Sequence, residues 1–114
     1  MAVQIVRGQM LKAELAAIAK AQFGDFVKAV VDIRRAVMAI GGELHADEEA
    51  VLLEDGSRQE DLWGISFYPA KQEAEWIEFD SMINVRPSQG NPSRSVEDAL
   101  IQTRIREVVA QLTH

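Results

Sequence analysis

Two runs of alternating residues set the tightest limit on how this chain can fold. In "DLWGISFYP", Trp63, Ile65 and Phe67 share one side. In "EWIEFDSMINVR", Ile77, Phe79, Ile83 and Val85 share one side, with Ser81 interrupting the row. A period of two is the repeat of a strand with one buried face, and two such runs joined through "PAKQEA" read as an antiparallel hairpin. The opposite side of the second run carries Glu78, Asp80, Asn84 and Arg86. Cover for the apolar side comes from residues 95–112, where Ile101, Ile105, Val108 and Leu112 form a helical stripe. Ser95 followed by Asp98 opens that helix in capping-box style. Trp63, Ile65, Phe67, Ile77 and Phe79 are expected to pack beneath Ile101, Ile105 and Val108.

The rest of the chain fills in around this unit. "VQIV" reads as a short first strand. Met10, Leu11, Leu15, Ile18 and Ala19 recur at helical spacing, which predicts a helix over 9–23 stopped by Gly24. "DFVKAVVDIRRAVMAIGG" fits two patterns: Phe26, Val30, Ile33, Val37 and Ile40 make a helical stripe, while Val27, Ala29, Val31 and Ile33 alternate. The crowding of β-branched residues selects two strands, 26–33 and 36–41, joined at Arg34-Arg35. That turn lacks the Asn or Gly that tight hairpins favour. Asp47 is placed to cap a short helix carrying Ala50, Val51, Leu52 and Leu53, with Gly56 as its stop. The order is β-α-β-β-α-β-β-α. It predicts one α+β domain over 1–114, with an antiparallel or mixed sheet and helices packed on one face.

The chemistry open to the chain is narrow. Among 114 residues there is no cysteine, which excludes disulfides, thiolate metal sites and thiol nucleophiles. No apolar run approaches the length of a membrane span, and "MAVQIVRGQMLKAE" lacks a secretory core, so a cytoplasmic protein without membrane contact is expected. The net charge of −6 makes double-stranded nucleic acid an unfavourable partner. The charge is uneven. Between Glu43 and Asp61 the acids face Arg58 alone, whereas the first forty residues lean basic. Walker, G-x-G-x-x-G, H-E-x-x-H and G-x-S-x-G patterns are all missing, so no cofactor and no catalytic residue is assigned.

The phrases "GELHAD", "EDGS", "DLWG" and "INVRPSQGN" resemble the core of a small family of uncharacterised prokaryotic proteins. The likeness runs from about Leu15 into the C-terminal helix. It implies one complete domain and transfers no activity.

Two segments hold candidate sites. In "GGELHADEE", His45, Asp47 and Glu48, joined by Asp80 or Glu78 from the neighbouring strand, would offer one nitrogen and several oxygens to a divalent ion. A structural role competes: a glycine turn, an Asp47 cap and acids in the first helical turn explain every residue but His45. In "NVRPSQGNPSRS", Arg86, Ser88, Asn91 and Arg94 border a helix start and would bind a phosphate or carboxylate. There too a structural role competes, with Arg86 paired to Asp80 or Glu78. Trp63, Phe67 and Phe79 belong to the core. Trp76 and Tyr68 are expected on the other face, as an aromatic pair suited to a partner surface or a homodimer interface. The leading expectation is a small binding or interaction module that recognises an anionic group at the 86–95 loop. The alternative is a metal-assisted phosphoesterase or nuclease using His45, Asp47 and the Glu78/Asp80 row.

Overall fold

Strand β2 (Val27–Asp32) is the spine of a five-stranded antiparallel sheet. Its neighbours are β3 (Val37–Ile40) on one side and β4 (Leu62–Phe67) on the other, flanked in turn by β1 (Gln4–Val6) and β5 (Ile77–Glu78). Helices α1 (Lys12–Ala21), α2 (His45–Glu54) and α3 (Ala99–Leu112) complete the expected order. The computed structural model describes residues 3–114. Among them, no helix is long and apolar enough to cross a membrane.

Alternate residues of β2 enter two cores. Val27, Ala29 and Val31 join Trp63, Ile65 and Phe67 beneath Leu15 and Ala19 of α1 and Ile105, Val108 and Val109 of α3. Phe79 and Ile101 pack at the margin of this cluster, half-buried. On the opposite face Val30, Ala39 and Leu62 pack with Leu52 of α2. Helices α1 and α3 therefore share a face as expected, while α2 takes the other. This explains the mixed pattern of "VKAVVD": a strand covered on both sides reads as a nearly continuous apolar run, and Val30 and Val31 are both 0% exposed.

The β2–β3 connection is a four-residue loop, Ile33–Ala36, rather than a two-residue Arg34-Arg35 turn. Buried Asp32 supplies the missing turn chemistry. Its Oδ1 accepts the N–H groups of Arg34 and Arg35, both at 2.9 Å, and Ala36 adopts the left-handed region at φ 55°. Ser57 donates to the other Asp32 oxygen at 2.6 Å, and Arg35 reaches Ser57 and Asp55 at 2.7 Å each. "EDGS" thus braces the hairpin.

Strand β5 is only two residues long, so most of the expected 75–86 strand is absent. The chain leaves the sheet after Glu78 and makes a 3-10 turn at Met82–Asn84. Asn84 then serves the edge of β4 with its side chain, accepting from Gly64 N–H at 2.8 Å and donating to Gly64 C=O at 2.9 Å. Helix α3 begins at Ala99, not Ser95. The cap is Asp98, which accepts from Leu100 N–H at 2.8 Å. The Asn91 side chain holds the Ser95 carbonyl at 2.7 Å and the Glu97 N–H at 2.9 Å, which keeps that stretch out of the helix. Trp76 is not on the open face: it is 5% exposed and lies 4.7 Å from the Phe67 ring. Tyr68 is half-buried, 5.6 Å from Phe26. The expected surface pair is not formed.

The start of α1 is tied to the end of the chain. Met10 N–H donates to Leu112 C=O at 2.8 Å, His114 N–H to Met10 C=O at 3.0 Å, and Lys12 N–H to His114 C=O at 2.9 Å.

Candidate functional site

On its sheet face helix α2 packs Leu52 against Val30, Ala39 and Leu62, the last being the partner of Asp32 in β2. Toward the other end of that strand, Lys28, Ser66 and Glu78 lie in register across β2, β4 and β5. A cleft of about 220 Å³ opens beside this row, lined by Lys28, Leu44, His45, Ala46, Ser81, Met82, Ile83 and Arg94. Lys28 also borders a hollow of about 510 Å³ formed with Ala21, Gln22, Phe23, Glu43 and Leu44. The rim is apolar and exposed: Leu44 is 57% and Met82 65% accessible.

Each polar group in the cleft has a defined partner. His45 opens α2, and its Nε2 donates to the Ile65 carbonyl at 2.7 Å. Burial holds its imidazole below its ordinary pKa, against the pull of the Ile65 bond, and Lys28 adds to the depression. The ring is neutral at pH 7, with Nδ1 as the lone-pair nitrogen. Lys28 Nζ donates to the Glu43 carbonyl at 2.8 Å and stands 5.1 Å above the Phe23 ring. Arg94 Nε donates to Asp80 at 2.7 Å, both side chains remaining largely exposed. Ser81 sits deep because β4 has a glycine opposite it. A Cβ on Gly64 would lie 2.5 Å from the Ser81 Cβ.

The "GGELHADEE" residues separate. Asp47 is exposed, while Glu48 turns inward and is 0% accessible. Gly42 N–H donates to Glu48 Oε2 at 3.0 Å, in a space where a Cβ on residue 42 would come within 2.8 Å of Glu48 Cγ. Burial pushes the Glu48 carboxyl up to about 9, so it is a neutral acid at pH 7, and its Oε1 has no partner. Asp80 is occupied by Arg94. Among the described residues, no group of three or more His, Cys, Asp or Glu side chains converges in a way that would hold a metal ion.

The 86–95 loop separates as well. Arg86 is buried; its Nε donates to Ile83 C=O at 3.0 Å, another nitrogen to Leu62 C=O, and its guanidinium lies 4.6 Å from the Trp63 ring centre. Burial lowers its pKa. Asn91 is buried too and donates to the Asn84 carbonyl at 2.7 Å. Ser88 is exposed. Of the four residues, Arg94 alone lines the cleft, where it meets His45 from the other candidate set. Lys28 and Ser81 were not legible as site residues. Lys28 is the one basic residue in the apolar run of β2, and that was its only signal.

The family model described as a protein of unknown function (DUF5674) matches residues 4–112. The chain belongs to that family. No curated protein and no solved structure matches it. The matched span takes in every element of the fold and every residue that lines the cleft.

Proposed function

We propose that the DUF5674 domain is a small interaction module whose Lys28–His45–Arg94 cleft takes a carboxylate or phosphate on an acidic, partly apolar segment of a partner protein. The observation that carries this reading is convergence. Two cationic side chains from distant segments, Lys28 and Arg94, line one cleft together with the neutral ring of His45. They do so in a chain of net charge −6. Arg94 has a planar fork of donors, of which Asp80 engages one, so a second oxyanion can be gripped alongside. Leu44 and Met82 on the rim suit an apolar neighbour of the anionic residue. The module is placed in the cytoplasm, in keeping with a chain that carries no cysteine.

Amide chemical-shift titration of the full chain tests the reading. The probes are a peptide alternating glutamate with leucine, its glutamine counterpart, and inorganic phosphate. Shifts from the acidic peptide are expected at Lys28, Leu44–Ala46, Ser81–Ile83 and Arg94, and they should be lost in Arg94→Ala and Lys28→Ala. A flat response, or one that both substitutions leave intact, overturns it. Phosphate binding equal to that of the peptide would mean that the anion alone is read.

A further inference from the structure

A second cleft, of about 270 Å³, lies on the other side of the sheet, between the start of α1, the segment before β5 and the last turns of α3. At about 30 Å³ per water it has room for roughly nine waters, enough for a single-ring organic molecule. Its floor is Trp76 and Ile77, with Val109 and Ala110 as one wall. Two cations border it. Arg106 stands 5.1 Å from the Phe79 ring and has no salt-bridge partner among the described residues. Lys12 lies 4.9 Å from the Trp76 ring centre and is ion-paired with Glu73.

That ion pair indicates what the cleft accepts. Glu73 reaches Lys12 from the loop before β5, and its side chain is 79% exposed. A carboxylate so open to water gains little from its partner, because solvent screens the attraction and the long side chains lose freedom. It is therefore easily displaced. Arg106 and Lys12 remain as anchors for an incoming anion, while the indole, the isoleucine and the valine offer an apolar bed for its body.

We propose that this cleft binds a small organic anion with a planar apolar body, of the aromatic carboxylate class, and that Glu73 is a built-in competitor that such a ligand displaces from Lys12. The inference is independent of the Lys28–His45–Arg94 cleft. No residue is shared between the two.

The test uses the full chain and benzoate, with benzamide as its uncharged counterpart and acetate as the anion without the ring. Benzoate is expected to shift the Trp76 indole signal and the amides of 109–113, with benzamide and acetate each at least tenfold weaker. Glu73→Gln should tighten benzoate several-fold by removing the competitor. Arg106→Gln should weaken it at least fivefold. Both substituted side chains are exposed, and amide spectra establish that each variant is folded. Equal affinity for benzoate and benzamide overturns the proposal, as does an unchanged benzoate affinity in Glu73→Gln.

Discussion

The Asn84 side chain occupies the place of a missing strand beside Gly64: one amide group satisfies both the N–H and the C=O of a single residue on the edge of β4, at 2.8 and 2.9 Å. Arg86 does the same for the Leu62 carbonyl. A buried backbone group left without a partner costs about 1–3 kcal/mol. Asn84→Ala orphans two such groups, and also the contact with the Arg94 carbonyl at 3.0 Å, so a loss of about 2–5 kcal/mol is expected in urea unfolding. A loss below about 1 kcal/mol would mean that water reaches this edge and replaces the amide.

The approach of Ser81 to Gly64 gives a second expectation. Gly64→Ala puts a methyl group 2.5 Å from Ser81 Cβ, closer than carbon atoms tolerate, so it should destabilise by about 1–3 kcal/mol. Ser81→Gly removes the two nearest opposing atoms and leaves Ile83 Cγ1 at 3.1 Å. The double variant should therefore recover most of what Gly64→Ala loses, and a thermal-melting mutant cycle measures that coupling. Strict additivity would show that the strain lies elsewhere.

Glu48 makes stability depend on pH. Its carboxyl titrates near 4.5 when unfolded and at about 9 when folded. Between those values the native state holds the extra proton, so stability falls as pH rises from about 4.5 to about 9, by at most about 1.4 kcal/mol per unit. His45 acts in the opposite sense. Its depressed pKa means stability is lost as pH falls below the ordinary histidine range. Glu48→Gln keeps the acceptor for Gly42 N–H and cannot ionise. Chemical denaturation at pH 5 and pH 8 should show a smaller loss on the alkaline side in the variant than in the parent. Identical differences would mean that folding does not raise the Glu48 pKa.

Two phenylalanines that share one alternation pattern should respond differently. Phe67 is 0% exposed in the main core, whereas Phe79 is half-buried at its margin beneath Arg106. Phe67→Ala is expected to cost about 3–5 kcal/mol. Phe79→Ala should cost no more than about 2 kcal/mol, since much of its surface is already in contact with water. Equal losses in calorimetric melting would place Phe79 in the interior.

The alternation of Trp63, Ile65 and Phe67 and the stripe of Ile105 and Val108 were legible because each records a single buried face. What stayed hidden has a common cause. Asn84 and Arg86 are polar whether they face water or bond a neighbouring backbone, so period two continued on paper where the strand had already ended. Trp76 precedes β5, and outside a strand the pleat no longer decides which way a ring turns. Glu48 reads as one more acid in a charged helix start; only Gly42, which has no side chain to block it, lets it turn inward. The cleft itself could not be read, because Lys28, His45 and Arg94 carry no local pattern and meet only once the sheet is assembled.

The backbone bonds between Met10–Lys12 and Leu112–His114 also bear on how the molecule is made. A ribosome delivers residue 12 long before residue 114, and domains emerge from their N-terminal side first. The β2–β3 hairpin can close on itself at once through Asp32. Met10 and the Lys12 N–H, by contrast, stay without these backbone partners until residues 112–114 have been synthesised. Closing a loop of that length carries an entropic cost that only the assembled sheet can repay. The seam that joins the start of the first helix to the end of the last is thus a late event in biogenesis.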